Sequence, residues 1–153
     1  MNELTKLRKD VYQNLERQRR LKEVAYKNFN KVLDKNQTKP IYISWEQLKT
    51  VQVGDTVKMS NDGDVEFIKL SENENEMVFN TMMFEGGKFT KHFHDCVQIC
   101  KVLSGRMIET EKGDRLSTKV YSEGERAIYD KGEAHALYVN EYTLLEVRFL
   151  KQL

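Results

Sequence analysis

The sequence predicts an all-β sandwich or barrel with one α-helix added at its N-terminus, and three observations carry that prediction. From Glu3 to about Asn36 there is neither Gly nor Pro, and apolar residues recur at helical spacing. After Pro40 the texture changes to short segments rich in β-branched and aromatic residues, separated by turn-forming clusters. The charge divides at the same point: residues 1–39 hold 11 Lys/Arg against 5 Asp/Glu, net +6, and residues 40–153 hold 14 against 19, net −5. A chain of 153 residues with 39% hydrophobic and 32% charged residues has the size and composition of one globular domain plus an appendage. The expected division is a basic amphipathic helix over residues 1–38 and a β-domain over 40–153.

Within the helix the apolar stripe runs through Leu4, Leu7, Val11, Leu15, Leu21, Val24 or Ala25, Phe29 and Val32 or Leu33. Gln18 interrupts it, and Arg17, Arg19, Arg20 and Lys22 crowd its middle, so the pattern is an amphipathic helix with a poor seam rather than a coiled coil. Such a helix packs on its own domain or on a twin subunit, which makes a homodimer the expected assembly. Nucleic acid is the lesser partner class, open only to the basic helix, because the whole chain is nearly neutral at net +1. Thr38-Lys39-Pro40 ends the helix, since Pro cannot continue it and pushes the preceding residue toward extended backbone.

IYIS is the first strand candidate. Ser44-Trp45-Glu46-Gln47 has the Ser-x-x-Gln form of a capping box and starts one helical turn before TVQVGDTVKM. Thereafter SNDGD, SENENE, EGG, LSG, EKGD, SEGE and DKGE recur at strand-length intervals, the spacing of a sandwich or barrel. Neither an apolar run of about 18 residues nor the apolar core of a signal peptide is visible, so no membrane contact and a cytoplasmic location are expected. Cys96 and Cys100 fit reduced thiols rather than a disulfide framework.

The chemistry-bearing residues are few. All three histidines fall within 44 residues: His92 and His94 in KFTKHFHDCVQICKVLSG, and His135 in GEAHALYVN. On a strand, the i and i+2 spacing puts His92 and His94 on one face, where a neighbouring strand's His135 completes a His₃ set for one ion. Through a tight turn at Asp95-Cys96, the inner parity of the next strand collects Gln98, Cys100 and Val102, which makes Gln98 the fourth ligand. Imidazole and an oxygen donor suit a divalent transition metal, Zn, Fe, Ni or Mn, and Cu as well. Cys100 reads as a small hydrophobe ahead of a soft ligand or redox thiol. Phe89, Phe93, Tyr129, Tyr138 and Tyr142 read as core or interface aromatics, and Met77, Met82, Met83 and Met107 as core filling.

These residues resemble the two motifs of the cupin family. Gly86, His92, His94, Gln98 and Gly105 stand at the spacings of the first motif, with Gln in place of Glu; Gly124, Asp130, Gly132 and His135 follow the second, with Asp in place of Pro and Asn140 one residue late. The likeness covers roughly residues 50–150. It implies a double-stranded β-helix, or jelly-roll barrel, whose mouth binds a small molecule over a metal, in a family of dioxygenases, isomerases, epimerases, binders and sensors. The leading expectation is therefore a metal-dependent dioxygenase or related small-molecule enzyme. Its rival is a non-enzymatic ligand- or metal-sensing module acting through the N-terminal helix. Proton chemistry would need a carboxylate or Tyr inside the barrel, and Tyr129 and Glu109 are the candidates, Glu109 with the less clear parity. No histidine is left over for a Ser-His-Asp or Cys-His set, and no phosphate-cradling Gly-x-Gly-x-x-Gly or Gly-Lys-Ser/Thr occurs.

Overall fold

A computed structural model of the chain describes residues 40–59 and 65–151. The helix expected over 1–38 and the SNDGD turn lie outside the described residues. What remains is a strand-rich body with one short helix. In chain order the elements are β1 (Ile41–Tyr42), α1 (Trp45–Lys49), β2 (Thr56–Met59), β3 (Val65–Glu72), β4 (Glu76–Met83), β5 (Lys88–Phe93), β6 (Val97–Ser104), β7 (Arg106–Lys112), β8 (Arg115–Leu116), β9 (Val120–Ser122), β10 (Arg126–Tyr129), β11 (His135–Tyr138) and β12 (Thr143–Leu150).

The strands form two six-stranded sheets. One runs β1-β5-β11-β7-β8, with β9 also on β7, and the other runs β10-β6-β12-β4-β3-β2. Every pairing is antiparallel except that of β1 with β5. The expected turn clusters fall between strands. SENENE closes β3 onto β4, where the Asn73 side-chain oxygen accepts from the backbone N–H of Asn75 at 2.8 Å and of Glu76 at 2.9 Å. The period-2 pattern is cleanest in β12, whose residues alternate buried and half-buried along its whole length. Leu145, Val147 and Phe149 enter the core from β12, and Met77, Phe79, Thr81 and Met83 from β4.

The segment from Ile41 to Val51 straps one end of the barrel. Its capping box forms as the sequence predicts: the Ser44 N–H donates to Gln47 Oε1 at 2.7 Å and the Gln47 N–H to Ser44 Oγ at 3.1 Å. Trp45 and Leu48 are the buried residues of α1. Two long-range bonds hold the strap down. The Trp45 N–H donates to Asp95 Oδ1 at 2.7 Å, and the fully buried Lys69 Nζ donates to the Leu48 carbonyl at 2.9 Å and to Glu72 at 2.5 Å. A lysine at the C-terminal end of a short helix meets the carbonyls that the helix itself leaves unpaired.

Gly105, between β6 and β7, has φ +86, and a Cβ there would lie 2.5 Å from the Tyr142 carbonyl oxygen. Gly124 has φ +87 but open space around it. Gly105→Ala is therefore expected to cost about 3 kcal/mol, and Gly124→Ala only the left-handed backbone cost of about 1–2 kcal/mol. Urea unfolding of the two variants checks the order; equal losses would show that the Tyr142 carbonyl yields without penalty.

Candidate metal centre

β5 and β11 are antiparallel neighbours, and their register sets His92 directly opposite His135. His94 follows two residues after His92, where the chain leaves β5 for the turn at Asp95-Cys96. The three rings converge, with centroids 4.3 Å apart for His92 and His135, 5.1 Å for His92 and His94, and 5.8 Å for His94 and His135. One ligand nitrogen from each lies within 4.8 Å of the others, close enough for small ring rotations to bring all three onto one ion. Gln98 comes from β6 in the opposite sheet, buried beside them.

Each imidazole has its Nδ1 turned to a backbone carbonyl: His92 to Thr90 at 2.8 Å, His94 to Ile43 of the strap at 2.8 Å, and His135 to Glu133 at 3.3 Å. An Nδ1–H held by a carbonyl leaves Nε2 as the bare lone pair, the arrangement that metal-bound histidines use. The Nε2 atoms of His94 and His135 and the Oε1 of Gln98 are buried without a hydrogen-bond partner. A buried acceptor left unsatisfied costs about 1–3 kcal/mol, so unpaired acceptors on two of three converging histidines and on the buried Gln98 form an arrangement that an ion would satisfy. Gln98 is oriented by its other end, since its amide Nε2 donates to Cys100 Sγ at 3.1 Å. The residues present fit a divalent transition metal.

Burial sets the charge of the site. It pushes His92 down to about 4 and, helped by repulsion from His92, His94 down to about 3. His135 is held well below the usual imidazole range by burial and by the other two rings. At neutral pH all three are therefore uncharged, the form that ligates. Burial also pushes the Cys100 thiol up to about 12, so it sits beside Gln98 as a neutral acceptor and not as a thiolate.

Behind His135 lies a second group of polar residues. Tyr129 stacks on the His135 ring at 3.9 Å between centroids and 6° between planes. Its hydroxyl donates to Glu109 Oε1 at 2.7 Å, and Ser117 donates to Glu109 Oε2 at 2.6 Å. Because the His135 Nδ1 contact is long, this flat stack carries much of the ring's orientation. Glu109 is 2% exposed and points inward with Met107 on β7, which decides the parity that its sequence context left unclear. Burial raises the Tyr129 phenol, and the neighbouring Cys100 and Glu109 raise it further.

A cavity of about 70 Å³ opens from the histidines into the barrel, lined by His92, His94, Gln98 and Cys100 and otherwise mostly by apolar side chains. Phe89, expected as a core or interface aromatic, lines this cavity, because β5 and β11 shift register between His135 and Leu137 and turn it inward. Tyr138 and Tyr142 lie at the surface, 38% and 47% exposed. Sequence reasoning passed over Phe67, Phe79 and Phe149. The signal for Phe79 was present in EMVFNTMM, where Met77, Phe79, Thr81 and Met83 share one parity and Thr81 is the polar break in that face.

No protein-family model and no curated protein matches the chain. Solved structures do resemble it. KdgF from Halomonas sp. is 17% identical, with a TM-score of 0.56 over 65% of this chain and 89% of that one. An RmlC-like cupin from Shewanella frigidimarina is also 17% identical, with a TM-score of 0.54 over 61% and 81%. The polyketide cyclase RemF from Streptomyces resistomycificus is 19% identical, with a TM-score of 0.53 over 58% and 66%. These likenesses show the fold: two facing sheets in the cupin double-stranded β-helix. Among the described residues no helix is long and apolar enough to cross a membrane.

The buried histidines predict an acid-sensitive fold. With folded values depressed to about 4 for His92 and about 3 for His94, the unfolded chain binds protons first, below its ordinary value of about 6.5. Their stabilising contribution is fully present above about pH 6.5 and is lost as pH falls through 4 and then 3. Each such histidine adds a slope of about 1.4 kcal/mol per pH unit in that window. Urea midpoints of metal-free protein between pH 4 and 8 should fall steadily from about pH 6.5 downward, and a profile flat to pH 5 would contradict the burial of neutral rings.

Proposed function

On this cupin fold, we propose that the chain is a metal-dependent small-molecule protein, in which His92, His94 and His135 hold a divalent transition metal, Gln98 adds its amide oxygen, and the adjoining cavity receives the ligand. The observation that carries the reading is the convergence of His92, His94 and His135, whose ligand nitrogens lie within 4.8 Å of one another, together with the buried and unpaired Nε2 atoms of His94 and His135 and Oε1 of Gln98. When bound, the ion would supply a Lewis-acid centre with open positions for a substrate oxygen.

The chain's own residues define what else the site can contribute. The backbone carbonyls of Thr90, Ile43 and Glu133 fix the ring tautomers, Tyr129 keeps His135 flat, and Cys100 turns the Gln98 oxygen inward. The apolar walls exclude water from the ligand. No Asp, Glu, Lys or Arg lines the cavity, and the phenol of Tyr129 and the carboxyl of Glu109 are engaged with each other behind His135. A reaction that depends on a side-chain general base is therefore poorly served, which favours dioxygenase-type chemistry over isomerisation. The family names of the similar structures supply only the fold.

Elemental analysis of protein purified without a His tag and dialysed against Zn, Fe, Ni or Mn in turn is the test. About one ion per chain is expected, with His92→Ala and His135→Ala lowering the affinity at least a hundredfold. Trace occupancy in the parent, or equal binding by the variants, would overturn the reading. Gln98→Glu should tighten the metal by about tenfold, roughly 1.4 kcal/mol, because a carboxylate compensates more of the ion's charge than an amide. Ligand binding without turnover under aerobic conditions would favour the sensing module over the enzyme.

A further inference from the structure

The cavity says more about its ligand than that it is small. In the sheet built around β6 and β12, the inward-facing residues form rows across the strands. Phe149 and Gln98 pair at the level of the histidines; Phe79, Val147 and Cys100 form the next row; Phe67, Thr81 and Leu145 form the one beyond. The rings run as a ladder away from the metal centre. His94 meets Phe149 at 4.9 Å and 69°, Phe149 meets Phe79 at 5.7 Å and 86°, and Phe79 meets Phe67 at 5.4 Å and 82°. Leu48 and Ile43 of the strap close one side, and Phe89 and Leu137 the other.

Polarity is confined to one end of this space. One buried cation, Lys69, lies 5.4 Å from the Phe79 ring but is held by the Leu48 carbonyl and Glu72 outside the lining. Beyond the histidines, Gln98 and Cys100, only the Thr81 hydroxyl is polar. A phosphate on the body of the ligand, away from the histidine end, would find no cation, and a polyhydroxy body would leave its hydroxyls unpaired among phenyl rings. An aromatic or alkyl body gains on burial, and edge-to-face walls suit a ring.

We propose that the cavity takes a ligand with a chelating oxygen head, uncharged or singly negative, and an apolar body, a short alkyl chain or one ring only partly enclosed by the walls, and that it discriminates against sugars and phosphorylated compounds. The head rests on the metal-site reading above; the body rests on the walls alone.

Mandelate and gluconate separate the two parts, since both carry one α-hydroxycarboxylate head, with a phenyl body in one and a polyol in the other. Each is titrated into Co(II)-loaded full-length protein and followed by calorimetry and by the visible cobalt band. Mandelate is expected to bind at least tenfold more tightly than gluconate, and Phe79→Leu should lower mandelate affinity severalfold while leaving gluconate unchanged. Gluconate binding as well as mandelate to cobalt-loaded protein would overturn the apolar-body proposal while leaving the metal site standing. A parallel arm uses the parent protein stripped of metal by a chelator, with toluene, which should raise the thermal midpoint. If cobalt does not bind at all, the metal reading fails and this arm still decides: a toluene-dependent rise sustains the apolar cavity, and no rise overturns it.

Discussion

The pairing of His92 with His135 across β5 and β11 is the constraint on which the rest of the structure depends. It places two imidazoles side by side, tilted 59° to each other, inside a barrel, and the two-residue step to His94 adds a third. Neutral rings are costly to bury with unpaired Nε2 atoms, as His94 and His135 are, and the surrounding chain holds them in place. The holding groups come from both near and far in sequence: the Thr90 and Glu133 carbonyls lie two residues from the rings they meet. Ile43 reaches His94 across 51 residues, and Tyr129 reaches His135 through its ring and Glu109 through its hydroxyl.

The barrel interior thereby separates into two environments. On one side of His135, Glu109, Ser117 and Tyr129 satisfy one another in a closed hydrogen-bonded group. On the other side, the cavity presents ligand atoms at one end and hydrocarbon over the remainder. A charged side chain in the cavity would have offered proton transfer, at the cost of desolvating that charge. Its absence from the lining leaves the histidines, Gln98, Cys100 and Thr81 as the polar side chains facing the cavity, with shape and apolar contact over the remainder.

The strap from Ile41 to Val51 joins these features. Its carbonyl at Ile43 orients a histidine, its Leu48 side chain lines the cavity, and its Leu48 carbonyl is capped by the buried amine of Lys69. One short segment therefore contributes to the orientation of the histidine cluster, the cavity wall and the closure of the barrel. Lys69 can be buried because both of its hydrogen-bonded partners, a helix-end carbonyl and a carboxylate, are strong acceptors.

What the sequence by itself determined was local and periodic. The turn clusters between described strands, the Ser44 capping box, the His92 and His94 spacing and the inner parity of Gln98, Cys100 and Val102 are all set by chain geometry over a few residues, where φ preference and side-chain alternation are decisive. The cupin-like spacing of glycines and histidines added the fold. Only the tertiary structure decided the facts that depend on register between distant strands. A register shift between β5 and β11 turned Phe89 into the cavity, a one-residue choice of parity put Glu109 inside with Tyr129, and the row alignment of β3, β4 and β12 built the phenylalanine ladder. A β-strand presents opposite faces at successive residues, so a shift of one position moves a side chain from solvent to cavity, and that shift is governed by neighbours that local sequence does not name.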